Sequence, residues 1–408
     1  MTWLVVVVGL VFLVFVHELG HFAMARALGV KPRSFYIGFP PAVVKVKRKG
    51  IEYGIGAIPL GGMVRIPGMN RLAGHDLMTY VGPALHEEPA LSGPVQKARR
   101  LLDEEDYAAV QAIVPELRAE FEAAELTPAS RRASNRALRE LDEATGPDAY
   151  WRQASWRRIL IIAAGPAVNV LVALVLFFAV YSTGAPTGNA STKVGEVELG
   201  MPAARAGLLP GDRIVAVNGH AAATFDRVSQ LIRSSHGAPI TVTVTRNGRT
   251  TTLGPRRTVE SGNRWIWGFV PTTEERSYGP LTSAHYAVRD AWQVVSGTIG
   301  AFASLAHGHE KGQLTTVVGI AQIQAQALKI SFNWYLQILA FVSMSLALLN
   351  LLPLLPLDGG HILFTMIEAV RRRALAREVY ERVSMVGLAL ILLVFFIALS
   401  NEHGGVPH

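Results

Sequence analysis

Cysteine is missing from all 408 residues. That excludes disulfides, thiolate zinc fingers, iron–sulfur clusters and a cysteine nucleophile, and any metal site must use histidine and carboxylates; the redox compartment stays open. Charge is also sparse, at 17% of residues against 50% hydrophobic. The apolar residues gather into four runs instead of spreading through amphipathic patterns, which favours a bundle of membrane helices with inserted domains over two or three soluble domains. No Lys or Arg precedes the first run, which argues against a signal peptide although the run is short and Ala23-Met24-Ala25 resembles a cleavage site. The net charge of +8 is not a nucleic-acid footprint, because Lys and Arg cluster beside the apolar runs as juxtamembrane anchors do. No nucleic-acid partner is expected.

What is present begins with Trp3 to Val16, which passes without a proline into His17-Glu18-Leu19-Gly20-His21 and on to Arg26, so one helix over 1–28 should carry both. Three further spans are expected at 159–181, at 334–369 with its apolar part ending near Leu357, and at 383–399. Basic residues follow the first run (Arg26, Lys31, Arg33), precede the second (Arg152, Arg157, Arg158) and separate the third from the fourth (Arg371, Arg372, Arg373). The positive-inside rule then puts those flanks in the cytoplasm and both termini outside.

The loops differ in character. Residues 43–68 alternate and are rich in glycine, which predicts a membrane-associated β-hairpin close to another backbone. Residues 70–150 form a charged insert, read as solvated helices from about Ala98 to Glu143, either a plain spacer or a regulatory or partner-docking element. Residues 190–260 read as a small α+β domain: Ala206-Gly207-Leu208, Gly211-Asp212 before the strand Arg213 to Val217, Asn218-Gly219 as a turn, a helix from Phe225 to Ser234, and the alternating strand Thr241 to Thr245. That pattern resembles a PDZ domain, which binds a peptide by strand addition, or serves here as a folded size gate. A membrane-surface amphipathic segment is open for 278–331.

In H-E-x-x-H on a helix the two His project from one face a turn apart, so both imidazoles reach one zinc ion, with the Glu beside it as base. His17 and His21 are therefore candidate ligands and Glu18 the candidate base; polar groups within a span are costly and functional by default. A catalytic zinc takes a third protein ligand. Asp358, at the margin of the third run beyond Pro353 and Pro356, is preferred for it over its neighbour His361.

These motifs, with Gly61-Gly62-x-Val64, Gly165-Pro166-Ala167-Val168-Asn169 and Asn350-x-x-Pro353 through Leu357-Asp358-Gly359, resemble the site-2 protease family of intramembrane zinc metalloproteases in its bacterial RseP-type branch. The resemblance covers most of the chain. It implies an α-helical multi-pass membrane protein of four transmembrane helices with a membrane-associated β-hairpin and an inserted α+β PDZ-like domain, lying in the bacterial cytoplasmic (inner) membrane with the PDZ-like domain extracytoplasmic. It implies one zinc ion with Asp358 as third ligand near the cytoplasmic side, Asn350 and Asn169 positioning substrate, and the strand at Gly61 and Gly62 pairing with it. Single-span membrane proteins, such as anti-sigma factors or remnant signal peptides, would be the substrates, and a peptide ligand of the PDZ-like domain is left open as a further partner. An inactive membrane scaffold that gathers clients is the alternative, and a metal transporter a weaker one, since the other spans lack a chain of ionisable residues. Three departures from the family pattern stand out: the second proline falls at Pro356, Pro40 follows Phe39 where glycine is usual, and the charged insert is long.

Overall fold

The computed structural model of the chain describes residues 2–69, 72–262, 264–306, 316–373, 375 and 377–404. Packing divides it into two units, one of residues 11–169 and 349–392, the other of 1–10, 170–348 and 393–408. Helix α1 (Thr2–Ala27) runs unbroken through the first apolar run and the His-Glu-x-x-His motif, as the absence of proline permits.

After α1 come two long antiparallel strands, β1 (Ser34–Arg48) and β2 (Ile51–Arg65). The sheet begins nine residues before the hairpin expected at 43–68, because Ser34–Ile37 is itself paired on both flanks: with Glu52–Ile55 on one and with Gly62–Arg65 on the other. Among the described residues, Gly62–Arg65 has a ladder partner on one side only. The inner face of β1 packs Phe35 against Phe22 of α1 and against Phe15, which fixes the sheet to the helix that carries the motif.

The charged insert is not a set of solvated helices but a packed bundle. Helices α2 (Gly74–Glu87), α3 (Ser92–Asp103), α4 (Tyr107–Ala123) and α5 (Pro128–Thr145) bury Leu77, Val81, Val95, Leu102, Val114, Leu117, Phe121, Leu138 and Leu141 in one core. The apolar residues recur at three and four, so each helix has one dry face under its charged surface. Asp106 caps α4 through the Ala109 N–H at 3.0 Å. Glu87, at the end of α2, accepts from the Thr127 N–H and from the Thr127 and Ser130 hydroxyls at the start of α5, so the bundle is closed by design of its ends and not only by apolar burial.

Helix α6 (Ser155–Thr183) is the second long apolar helix. In the other unit it leads into a sheet built from β3 (Ala185–Val197), β4 (Arg213–Val217) with the short β5 (His220–Ala221), β6 (Pro239–Arg246) and β7 (Arg249–Arg257). A short helix, α7 (Pro202–Arg205), precedes β4, and α8 (Phe225–Arg233) precedes β6. A ribbon of β8 (Val259–Ser261) and β9 (Arg264–Ile266) follows, then β10 (Phe269–Arg276), which closes the order β10-β3-β4-β6-β7. The sequence reading ended this domain near 260 and so omitted β10 and the buried Trp267, whose segment lacks a long alternating run. Val228 and Ile232 of α8 meet Ile214, Ile240, Val242 and Val244 in its core.

One ion pair ties that domain together. Burial pushes the Asp212 carboxyl up, but the Arg246 guanidinium, with two contacts of 2.7 Å, and the Leu209 N–H at 2.9 Å outweigh it and hold the group below its usual range. A carboxyl whose pKa is depressed by folding stabilises the fold above its unfolded value and loses that contribution as pH falls through the folded one. Arg246→Ala should therefore lower the unfolding midpoint of this domain by a few degrees at neutral pH, with the gap from wild type closing below about pH 4 in thermal scans. A gap that is independent of pH would show that the pair contributes packing alone.

Next, α9 (Pro280–Ala306) and α10 (Val317–Ile330) occupy the stretch left open as a membrane-surface segment; residues 307–315 lie outside the described residues. Helix α9 turns Ala287 and Ala291 inward against Phe177 and leaves Val288, Trp292 and Ile299 exposed. Buried Asp290 accepts from the Tyr181 hydroxyl at 2.5 Å.

The segment read as one span over 334–369 is two helices. Helix α11 (Phe332–Asn350) ends at Asn350, residues 351–357 turn, and α12 (Asp358–Arg371) starts at Asp358. Pro353 and Pro356 offer no N–H for helical bonding and disfavour helical geometry in the residue before them, and the Leu355–Pro356 bond is cis. Helix α13 (Arg377–Gly404) follows. Among the described residues, four helices are long and apolar enough to cross a membrane: α1, α6, α11 and the part of α13 over Glu378–Phe396.

Candidate metal centre

Helix geometry puts His17 and His21 one above the other on the buried face of α1, and both are 7% exposed. Their Nε2 atoms stand 3.2 Å apart. Asp358 reaches them from the first turn of α12, its Oδ2 at 3.2 Å from His17 Nε2 and 3.4 Å from His21 Nε2. Two residues seventeen and twenty-one positions into the chain and one near its far end thus close a triangle, and this is the metal-capable cluster among the described residues. His361, the local rival to Asp358, lies one turn further along α12 and outside it.

The donor set fits zinc on two grounds. Bonds of about 2.1 Å at tetrahedral angles separate ligand atoms by about 3.4 Å, which matches the triangle's edges of 3.2 to 3.4 Å. The protons are also arranged for it. His21 Nδ1 lies 2.9 Å from the carbonyl oxygen of Ile161, an atom that only accepts, so the proton sits on Nδ1 and Nε2 turns a lone pair inward. Two imidazole nitrogens and a carboxylate oxygen converging at such distances form a donor set suited to a cation.

Helix α6 is shaped for this crossing. A Cβ at Gly165 would run into the His21 imidazole, and a Cβ at Gly20 would meet the Ala164 carbonyl oxygen at 2.5 Å, so the two glycines let α1 and α6 approach at the level of the site. Pro166 supplies no N–H to this turn of α6, next to the carbonyl that receives His21. Three residues on, Asn169 is fully buried with its side-chain amide 3.4 Å from His17 Nδ1. The resemblance implies a substrate-positioning task for Asn169; its burial beside the imidazole also places it to orient the ring.

Glu18 leaves α1 beside His17, half-buried, and points toward β2. A Cβ at Gly62 would come within 2.5 Å of its Cγ, so the Gly62–Arg65 strand passes directly over the carboxylate. Gly61, at φ 113, abuts the Phe39 ring, a backbone region that suits glycine. Asn350 closes α11 and is half-buried; none of the described hydrogen bonds joins it to the triangle.

A support that sequence reasoning missed holds α12 in place. Arg158 of α6 and Glu368 of α12 meet at 2.8 Å with side chains 9% and 6% exposed. The Arg158 guanidinium also lies over the Tyr150 ring at 5.1 Å, so this arginine, counted from sequence among the membrane-flanking charges, is an internal clamp. Removing one partner of such a buried pair costs about 3–5 kcal/mol, and its loss would free the helix that delivers Asp358.

Comparison with known proteins shows the family. The family model described as peptidase family M50 matches residues 5–394. A Brucella suis protein whose name classes it as a zinc metalloprotease is 30% identical over 95% of this chain and 91% of its own length. A Mesorhizobium japonicum protein named in the same terms is 29% identical over 95% of each chain, and the zinc metalloprotease RasP of Geobacillus kaustophilus is 30% identical over 96% of this chain and 94% of its own.

Proposed function

This chain belongs to peptidase family M50 and is a zinc metalloendopeptidase of the site-2 protease type, and from that premise we propose that it cuts single-span membrane proteins inside the bilayer at one zinc ion held by His17, His21 and Asp358. The observation that carries the reading is the triangle of donor atoms, built from two long apolar helices and a helix start, with Glu18 between it and the Gly62–Arg65 strand. An inactive scaffold has no use for such a set.

A substrate helix in lipid satisfies its own backbone groups, so no carbonyl is open to attack until it unwinds. The free edge of Gly62–Arg65 offers the freed groups a ladder. Zinc, when bound, supplies Lewis acidity and lowers the pKa of its water to about 7. Glu18 would take a proton from the water that attacks the substrate carbonyl and return it to the departing amide nitrogen. His21 is held in register by Ile161 and His17 by Asn169. Asn350, at the end of α11, donates to the substrate or to the developing oxyanion.

The basic flanks put the hairpin and the helical bundle on the cytoplasmic side of a bacterial inner membrane, near the active site, and the domain over Ala185–Arg276 outside. We read that domain as PDZ-like, serving as a peptide-binding or size-selecting module, from its sheet order and the packing of α8 on it. Substrates of the anti-sigma-factor or remnant-signal-peptide kind fit the same reading.

The test is cleavage of a single-span substrate by the purified protein in lipid vesicles before and after chelation. Chelator should abolish cleavage and stoichiometric zinc restore it. Cleavage that persists in fully chelated protein would end the proposal.

A further inference from the structure

The sheet that carries the strand over Glu18 has a second edge. Residues 62–65 pair with 34–37, these with 52–55, and 51–55 in turn with 44–48. Residues 44–48 therefore form the opposite border, three strand spacings or about 14 Å away from the strand over Glu18. Among the described residues, 42–48 has a ladder partner on one side only. Every residue from 41 to 50 is exposed, and Val43, Val44 and Val46 are so at 68%, 57% and 62%. An uncovered apolar edge of this length marks an interaction surface.

Charge points to the occupant. Between Ser34 and Arg65 the sequence holds one carboxylate, Glu52, against Lys45, Lys47, Arg48, Lys49 and Arg65. Glu52 accepts from the Tyr36 hydroxyl and pairs with Lys45 at 3.6 Å, while Arg65 is taken up by Glu140 and Glu143. Lys47 stands opposite Glu52 in the ladder, yet neither it nor Arg48 or Lys49 makes an ion pair among the described residues. Arg48 pairs with Ile51 across a two-residue turn, Lys49 at φ 51 and Gly50 at φ 79, which is the geometry of a tight hairpin. Lys31 reaches the same corner, since a Cβ at Gly50 would stand 3.1 Å from its Nζ. Four cations are thus gathered where no carboxylate is left to answer them, and their mutual repulsion falls when an anion arrives.

We propose that this corner and the adjoining edge bind anionic phospholipid of the leaflet that the hairpin faces. Lys31, Lys47, Arg48 and Lys49 hold headgroup phosphates, and the exposed valines rest on the upper acyl chains. Two arguments favour lipid. The hairpin follows α1, a helix apolar enough to cross a membrane, and the backbone groups of a free edge are costly in hydrocarbon but find acceptors among headgroup oxygens. A second copy adding its own edge would set the same cations against one another. Anchoring the far edge fixes the depth of the whole sheet, and with it the strand over Glu18. The proposal rests on the membrane reading of α1 and on no step of proteolysis.

The chain has no cysteine, so Val46→Cys in the full-length protein takes a single fluorescent label. The labelled protein is placed in phosphatidylcholine vesicles doped with phosphatidylglycerol or phosphatidylcholine that carries a nitroxide on the upper acyl chain, which quenches the label on contact. Each Lys or Arg near an anionic surface contributes about fivefold in affinity, so the phosphatidylglycerol probe should quench at about a tenth of the mole fraction that the phosphatidylcholine probe needs. Lys31→Gln, Lys47→Gln, Arg48→Gln and Lys49→Gln combined should bring the two probes to within about twofold. In the protein with its cations intact, raising salt from about 0.1 M to about 1 M should shrink the preference several-fold. Equal quenching by both probes, or a preference that survives both the combined replacement and salt, would overturn the proposal. So would a label that neither probe quenches, and a disulfide between two Val46→Cys chains in its place would give the edge to a second copy. Zinc content and thermal midpoint of the combined variant check its fold. The readout is contact with lipid and not cleavage, so a failure here and a failure of the protease reading are told apart.

Discussion

Glu18→Gln should retain its zinc and lose cleavage by a factor on the order of 10²–10⁴ in kcat, with KM little changed. Glutamine has the volume of glutamate, so the close approach of Gly62 to this side chain is kept. Glu18 is not one of the three converging donors, so metal content should stay at the wild-type level. What is lost is the ability to accept a proton from the attacking water, a contribution made in the transition state alone. Metal analysis beside cleavage of a vesicle-embedded substrate reads both quantities. Undiminished cleavage at full zinc content would remove Glu18 from the mechanism, and loss of zinc would make it a ligand.

The sequence made the metal centre legible because its parts carry local signals. His17, Glu18 and His21 sit within one helical turn and a half, and Asp358 stands next to prolines at the end of an apolar run, where an acid has few other reasons to be. What escaped notice are pairings between distant segments that have no local mark. Arg158 and Glu368 are each ordinary charged residues in sequence, and only the fold brings them to 2.8 Å. The resemblance gave Asn169 a substrate role; its contact with His17 from 152 residues away is likewise visible in the fold alone.

The fold was legible to a similar depth. Long apolar runs announce helices by hydropathy alone: α1 falls within the expected 1–28, and α6 extends only a few residues beyond the expected 159–181. The sheet was read too short because Ser34–Ile37 is only four residues long and its pairing with segments on both flanks leaves no local mark. The bundle was read as solvated because charge dominates its composition, whereas the dry faces emerge only when the four helices are set against one another. In each case the missing information was which segments meet, which periodicity along one segment does not contain.

Asp358→Asn should strip the protein of its metal and, with it, of cleavage. An amide has no negative charge to offer a divalent cation, and a three-ligand site reduced to two imidazoles loses zinc affinity by a factor on the order of 10² or more. The fold should survive the change. Helix α12 is held to α6 through Glu368 and Arg158, and Gly359 and Gly360 pack closely on the carbonyls of the preceding turn, neither of which involves the carboxylate. His361→Ala is the matched control, because His361 lies on the same helix, one turn away, outside the donor triangle. After dialysis against a weak chelator, wild type and His361→Ala should hold about one zinc per chain and Asp358→Asn close to none, with thermal midpoints measured on the chelated proteins agreeing to within a few degrees. The reverse pattern, zinc kept by Asp358→Asn and lost by His361→Ala, would move the third ligand one turn along α12. The triangle would then have to reform around an imidazole, and the orientation that Ile161 imposes on His21 would no longer aim its free nitrogen at the metal.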